Sequence, residues 1–144
     1  MYPSKIHILV VDDELSVRES LEMLLTSEGY DVATAEDGFS ALLQIEGMPP
    51  DLIISDLNMP RMSGFELLPV ARKRFPKIKI VAMSGGYHGN DLPLGVVADG
   101  FFAKGQRAQH LLTTITGLID TSADRMNSHG QQPASVEGEL LSTS

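Results

Sequence analysis

The 144-residue sequence contains no cysteine. That absence excludes a disulfide framework and every thiolate-ligated metal site, and leaves the redox compartment undecided. Positive charge is also scarce, with 11 Lys and Arg against 19 Asp and Glu and a net charge of −8. Nucleic-acid binding draws on clustered Lys and Arg, so nucleic acid is not expected as the main partner, and a cation site or a basic protein fits better. Long hydrophobic runs are missing too: no segment approaches the roughly 20 apolar residues that span a bilayer. The opening MYPSKIHILVV has an apolar run too short for a signal peptide, and His7 interrupts it. A soluble, cytoplasmic protein with no membrane insertion is expected.

What is present looks globular. The hydrophobic fraction is 42% and the charged fraction 21%, and this length suits one domain with its own core. Five short apolar stretches, IHILVV (6–11), DVATA (31–35), DLIIS (51–55), IKIVAM (78–83) and GFFA (100–103), read as strands. Their near-continuous hydrophobicity predicts a sheet covered on both faces, hence parallel. Helix-period segments lie between them. Val17, Leu21, Leu24 and Leu25 share one face of the first, and Gly29 stops it. Ala41, Leu42 and Ile45 mark a second and Phe65, Leu68 and Ala71 a third. Ala108, Leu111, Leu112, Ile115, Leu118 and Ile119 mark the last.

Repeated βα units with right-handed crossovers predict a doubly wound α/β fold with a five-stranded parallel sheet, for which 2-1-3-4-5 is one common order. The folded domain is expected over residues 1–120. From Thr121 the sequence loses periodicity and gains Ser, Gly, Gln and Pro, so residues 121–144 are expected to form a disordered tail. No output domain is expected to follow.

Ligands of such sheets collect at the carboxyl ends of the strands. There the sequence has Asp12 and Asp13 after strand 1, Asp56 after strand 3, Ser84 after strand 4 and Lys104 after strand 5. Three carboxylates in one space repel, and a hard divalent cation such as Mg²⁺ neutralises them with oxygen ligands. Lys104 adds a mobile positive charge and Ser84 a hydroxyl donor. Metal, lysine, hydroxyl and a central carboxylate together suit phosphoryl transfer onto Asp56.

The segments VVDDE, SDLNMPRMSG, AMSGG and FFAKG, in this order and spacing, resemble the receiver domain of two-component response regulators, with its flavodoxin-like fold, over about residues 5 to 120. The resemblance implies that Asp56 is the phosphoacceptor and that Asp12, Asp13, Asp56 and the backbone carbonyl of Asn58 hold Mg²⁺. It implies that Ser84 is the switch hydroxyl, Lys104 the conserved lysine and Phe101 the switch aromatic. The implied partners are a histidine kinase or histidine phosphotransfer protein and a downstream protein target, with a monomer or weak dimer expected. Such a domain is a signalling protein and not an enzyme, catalysing only its own phosphorylation and dephosphorylation. A receiver fragment of a hybrid kinase and a phosphorelay intermediate are alternatives.

Three departures from the family stand out. Gly105 follows Lys104 where the family usually has proline, so no cis peptide is expected there and Lys104 would be held less firmly. Pro69 inside the third helix predicts a bend or shortening. Glycines and Pro93 between Gly85 and Gly100 predict a short or partly unwound helix and the most mobile part of the fold.

Other readings fit less well. An aspartyl-nucleophile phosphohydrolase wants a second acid two residues after the nucleophile, where Asn58 stands, and a flavin-binding module wants a Ser/Thr-rich loop after strand 1. His7, His88, His110 and His129 show no ligand spacing. The basic run ARKRFPKIK reads as a solvated helix end.

Overall fold

The computed structural model describes residues 5–85 and 95–130, with side chains to residue 120. Along the chain, β1 (His7–Val11), α1 (Leu15–Ser27), β2 (Asp31–Ala35), α2 (Gly38–Gly47) and β3 (Leu52–Asp56) come first. They are followed by α3 (Gly64–Arg74), β4 (Lys79–Ser84), β5 (Gly100–Ala103) and α4 (Ala108–Gly130). The five strands form one sheet in the order β2-β1-β3-β4-β5, and every pairing is parallel.

Strand alternation divides the core into two layers. Leu9, Val11, Ile53, Ile80 and Ala82 pack with Ala41 and Ile45 of α2 and with Leu67, Leu68 and Ala71 of α3. Ile8, Val10, Leu52, Ile54, Val81 and Met83 pack on the other face with Leu21 and Leu25 of α1 and Leu111 and Ile115 of α4. Both faces are therefore dry, which is why the strands read as unbroken apolar runs rather than alternating ones. Gly29, at φ +95°, takes the left-handed turn that ends α1.

Several local expectations need correction. The third helix is not cut short at Pro69 but runs through it to Arg74. The proline withholds one N–H, whose acceptor would be the carbonyl of Phe65, while Leu67, Leu68 and Ala71 anchor the helix on either side of it. Phe65 is 37% exposed, because Leu67 and Leu68 share the core side with Ala71 and turn it to the rim. Ala108, the first residue of α4, is also exposed. The last helix is described from Ala108 to Gly130. Residues 131–144 of the expected tail, and the centre of the expected irregular helix (86–94), lie outside the described residues.

Candidate functional site

Strand register decides which chain ends meet. β1 lies between β2 and β3 with Val11 paired to Ser55, so Asp12 follows beside Asp56. Asp56 is paired with Met83, and Ser84 with Ala103, so Ser84 and Lys104 complete the same edge. Backbone bonds pin the tips: Asp12 N–H donates to the Ala35 carbonyl at 3.1 Å, and Lys104 N–H to the Ser84 carbonyl at 2.9 Å.

The charged cluster is tight and largely buried. Lys104 Nζ lies 2.8 Å from Asp12 Oδ2, 3.1 Å from Asp56 Oδ2 and 3.4 Å from Glu14 Oε1. Asp12 and Asp56 are 0% and 3% exposed. Asp12 Oδ1 accepts the Glu14 N–H at 2.9 Å, and the Asp12 carbonyl accepts Arg18 Nη1 at 2.7 Å. Asp56 Oδ1 accepts the Asn58 N–H at 3.2 Å, while Asn58 Nδ2 donates to the buried Ser84 Oγ at 3.3 Å.

One oxygen each from Asp12, Asp13 and Asp56 lie within 4.8 Å of one another. Asp12 Oδ2 is buried and accepts no well-aligned hydrogen bond; its ion pair with Lys104 is electrostatic company rather than full satisfaction. A buried, under-coordinated carboxylate oxygen beside two further carboxylates is a donor set that fits a hard divalent cation.

The electrostatics carry the same strain. Burial pushes the Asp56 carboxyl above its ordinary pKa, and the Asp12 charge adds to it; the Asn58 N–H and Lys104 pull in the other direction. For Lys104, burial pulls the ammonium down, but its contacts with Asp12 and Asp56 more than offset this and hold its pKa above the ordinary value. Lys104 is therefore cationic at neutral pH.

Thus Asp12, Asp13, Asp56 and Lys104 come together, with Ser84 linked through Asn58. Phe101 does not join the charged groups: it packs against the α2–α3 layer beside Val96, Val97 and Ala98. Sequence reasoning missed Glu14, whose only signal was being the third acid of VVDDE, and it missed Gln106. The Gln106 side-chain Oε1 accepts the Ala103 N–H at 3.0 Å and the Gln106 backbone N–H donates to the Ala103 carbonyl at 3.0 Å, closing the turn that carries Lys104.

No cis peptide occurs among the described residues, and Gly105 sits in that turn at φ +98°. A Cβ there would meet nothing within 4 Å, so any cost of adding one is a backbone cost alone. Gly105→Ala is expected to lower unfolding free energy by about 1–2 kcal/mol, the usual penalty of a left-handed L-residue. Denaturant unfolding checks this, and an unchanged midpoint would show that the turn relaxes freely.

The sequence matches the profile of the response regulator receiver domain over residues 8–116. It is 31% identical over 137 residues to the alkaline phosphatase synthesis transcriptional regulatory protein PhoP of Bacillus subtilis, covering 93% of this chain and 57% of that protein. It is 32% identical over 119 residues to the DNA-binding response regulator MtrA of Mycobacterium tuberculosis, covering 81% and 52%. The chain thus spans about half the length of these curated relatives. Among solved structures, a CheY-like receiver domain protein from Methanospirillum hungatei superposes with TM-score 0.77 at 30% identity, covering 85% of this chain and 99% of that one. The response regulator TrrA of Thermotoga maritima, solved in complex with Mg²⁺ and BeF, gives TM-score 0.73 at 35% identity, covering 78% and 98%.

Proposed function

We propose that this chain, which belongs to the response regulator receiver domain family, accepts a phosphoryl group on Asp56 in a Mg²⁺-dependent reaction and signals through protein contacts. The donor in this reading is a phosphohistidine on a histidine kinase or histidine phosphotransfer protein. A carboxylate oxygen of Asp56 attacks phosphorus, the P–N bond to the donor imidazole breaks, and its electron pair returns to the ring nitrogen. The product is an acyl phosphate on Asp56.

The observation that carries the reading is the Lys104 ammonium lying 2.8 Å from Asp12 Oδ2 and 3.1 Å from Asp56 Oδ2, at an edge where Asp13 adds a third carboxylate. Mg²⁺, for which Asp12, Asp13, Asp56 and the Asn58 carbonyl would supply oxygens, would offset the charge that gathers on the transferring group. Lys104 stays protonated and moves its charge from Asp56 toward a phosphoryl oxygen. The Asn58 N–H holds one acceptor oxygen, which orients the carboxylate before attack. Ser84 then donates its hydroxyl to the phosphoryl group and draws the end of β4 toward Asp56. Phe101, which starts partly buried, repacks in response.

Incubation with acetyl phosphate and Mg²⁺ is expected to give a protein one phosphoryl group heavier, with the adduct cleaved by hydroxylamine. Chelation of the metal is expected to stop incorporation. Undiminished labelling in excess chelator would overturn the metal dependence.

A second reading, in which these residues are the receiver part of a larger regulator, is favoured by their spanning about half of PhoP and MtrA. The size of the native polypeptide on an immunoblot separates the two.

A further inference from the structure

Asp37 is the one buried carboxylate, among the described residues, that the proposed chemistry does not use. It precedes α2, and its Oδ1 accepts the Ser40 N–H at 2.8 Å. Its Oδ2 pairs with the guanidinium of Arg61, 24 residues away in the loop that follows Asp56. Arg61 is the only non-glycine residue at positive φ among those described, at +66°. Such a backbone persists only where surrounding contacts hold it. The next residue reinforces the contact: a Cβ on Gly38 would come within 2.6 Å of Met62 Cγ, so the Met62 side chain lies directly against the start of α2.

The same loop carries Asn58, whose N–H holds Asp56 Oδ1. Its far end returns to its start through the Gly64 N–H and the Leu57 carbonyl at 3.1 Å. The loop is thus closed at its base by backbone and tied at its crown to a neighbouring helix by Arg61.

The geometry points to an Asp37–Arg61 latch that positions the acceptor loop, so that Asn58 presents both its N–H to Asp56 and its carbonyl to the divalent cation. Asp37 and Arg61 are positioning residues, acting through Asn58 and touching no reacting atom. Asp37 is suited to the task because the Ser40 N–H, against the opposing effect of burial, and the nearby Arg61 hold its carboxyl below the ordinary carboxylate range. It therefore stays ionised at neutral pH.

The inference rests on the phosphoacceptor reading above, and Mg²⁺ titration by calorimetry on the full chain tests the two separately. Arg61→Gln and Asp37→Asn, the latter retaining an acceptor for Ser40, are each expected to weaken Mg²⁺ binding by up to about tenfold, the low end of the loss for groups that orient a metal ligand, because they act one step further out, through Asn58. The double variant should lose no more than either single one, and Arg61→Lys should recover most of the affinity. Arg61→Gly decides between latch and backbone preference, because glycine accepts the left-handed conformation but cannot reach Asp37. A latch predicts weakened binding in Arg61→Gly; wild-type affinity there, or additive losses in the double variant, would overturn it. Wild-type protein that binds no Mg²⁺ at all would instead sink the phosphoacceptor reading. Melting temperatures of each variant show whether the folded protein was the species titrated.

Discussion

Asp56→Asn is expected to take up no phosphoryl group from acetyl phosphate under conditions in which the wild type is labelled to a measurable fraction. An amide oxygen is a far weaker nucleophile than a carboxylate, and the amide nitrogen carries no lone pair available for attack. Asp12 is the nearest carboxylate that could substitute. Asp12 is held in much the same way, one oxygen on the Glu14 N–H and the other beside Lys104, but it is fully buried whereas Asp56 keeps 3% exposure, so a phosphoryl donor reaches Asp56 first. The loss should not come from unfolding. The folded-state pKa of Asp56 is raised, chiefly by burial. A carboxyl raised in this way favours folding below its unfolded pKa, and that advantage is lost as pH rises toward its folded pKa. At neutral pH the ionised acceptor therefore costs stability, and the asparagine variant should melt at or above the wild-type temperature. Mass spectrometry and a thermal scan read the two quantities. An acid-labile adduct of equal yield on Asp56→Asn would sink the assignment of the acceptor.

Gly64→Ala is the second change with a large expected effect, and it acts through the backbone. Gly64 opens α3 and is buried; a Cβ there would lie 2.3 Å from the Asp56 carbonyl oxygen and 2.8 Å from Leu57 Cα. Neither atom can swing away as a side chain would, so either the start of α3 or the end of β3 must shift. Overpacking of this kind costs about 1–3 kcal/mol, and this contact lies at the upper end because both partners are main chain. The peptide that would shift carries the acceptor, and misplacing a reacting group by about 1 Å costs on the order of 100-fold in rate. Gly38→Ala is the comparison in which a side chain of the Arg61 loop, rather than the main chain of the acceptor strand, must give way, so its cost is expected to be smaller. Its Cβ would meet only the flexible Met62 side chain, at 2.6 Å, which can move aside. Denaturant unfolding and initial labelling rates should therefore separate the two variants. If Gly64→Ala unfolds and labels like the wild type, the close approach is not the constraint on the acceptor strand that it is read to be.

Much of this protein was legible because its signals are local. Strands buried on both faces must be apolar throughout, so IHILVV, DLIIS and IKIVAM announce a parallel sheet whatever surrounds them. Once five such strands alternate with helices, the crossover rule leaves few topologies, and the acids at 12, 13 and 56 with Lys104 are brought to one edge by topology alone. Helix termini were less legible. Pro69 reads as a breaker, yet the buried Leu67, Leu68 and Ala71 hold the helix through it, since packing outweighs one missing hydrogen bond.

What the sequence determined by itself was therefore the fold class and the identity of the clustered charges, because each follows from periodicity or from the position of a residue at a strand end, while the strand order was narrowed to a few topologies of which the structure shows one. Only the tertiary structure decided how that cluster is held. The approach of Glu14 to Lys104 is one such contact, and the reach of Arg61 to a buried Asp37 is another. The double closure of the Lys104 turn by Gln106 and the contact of Gly64 with the Asp56 carbonyl complete the set. The reason is physical: each depends on side-chain reach or backbone approach of a few ångströms, set by packing across elements, and no pattern of residue types along the chain encodes a distance that fine.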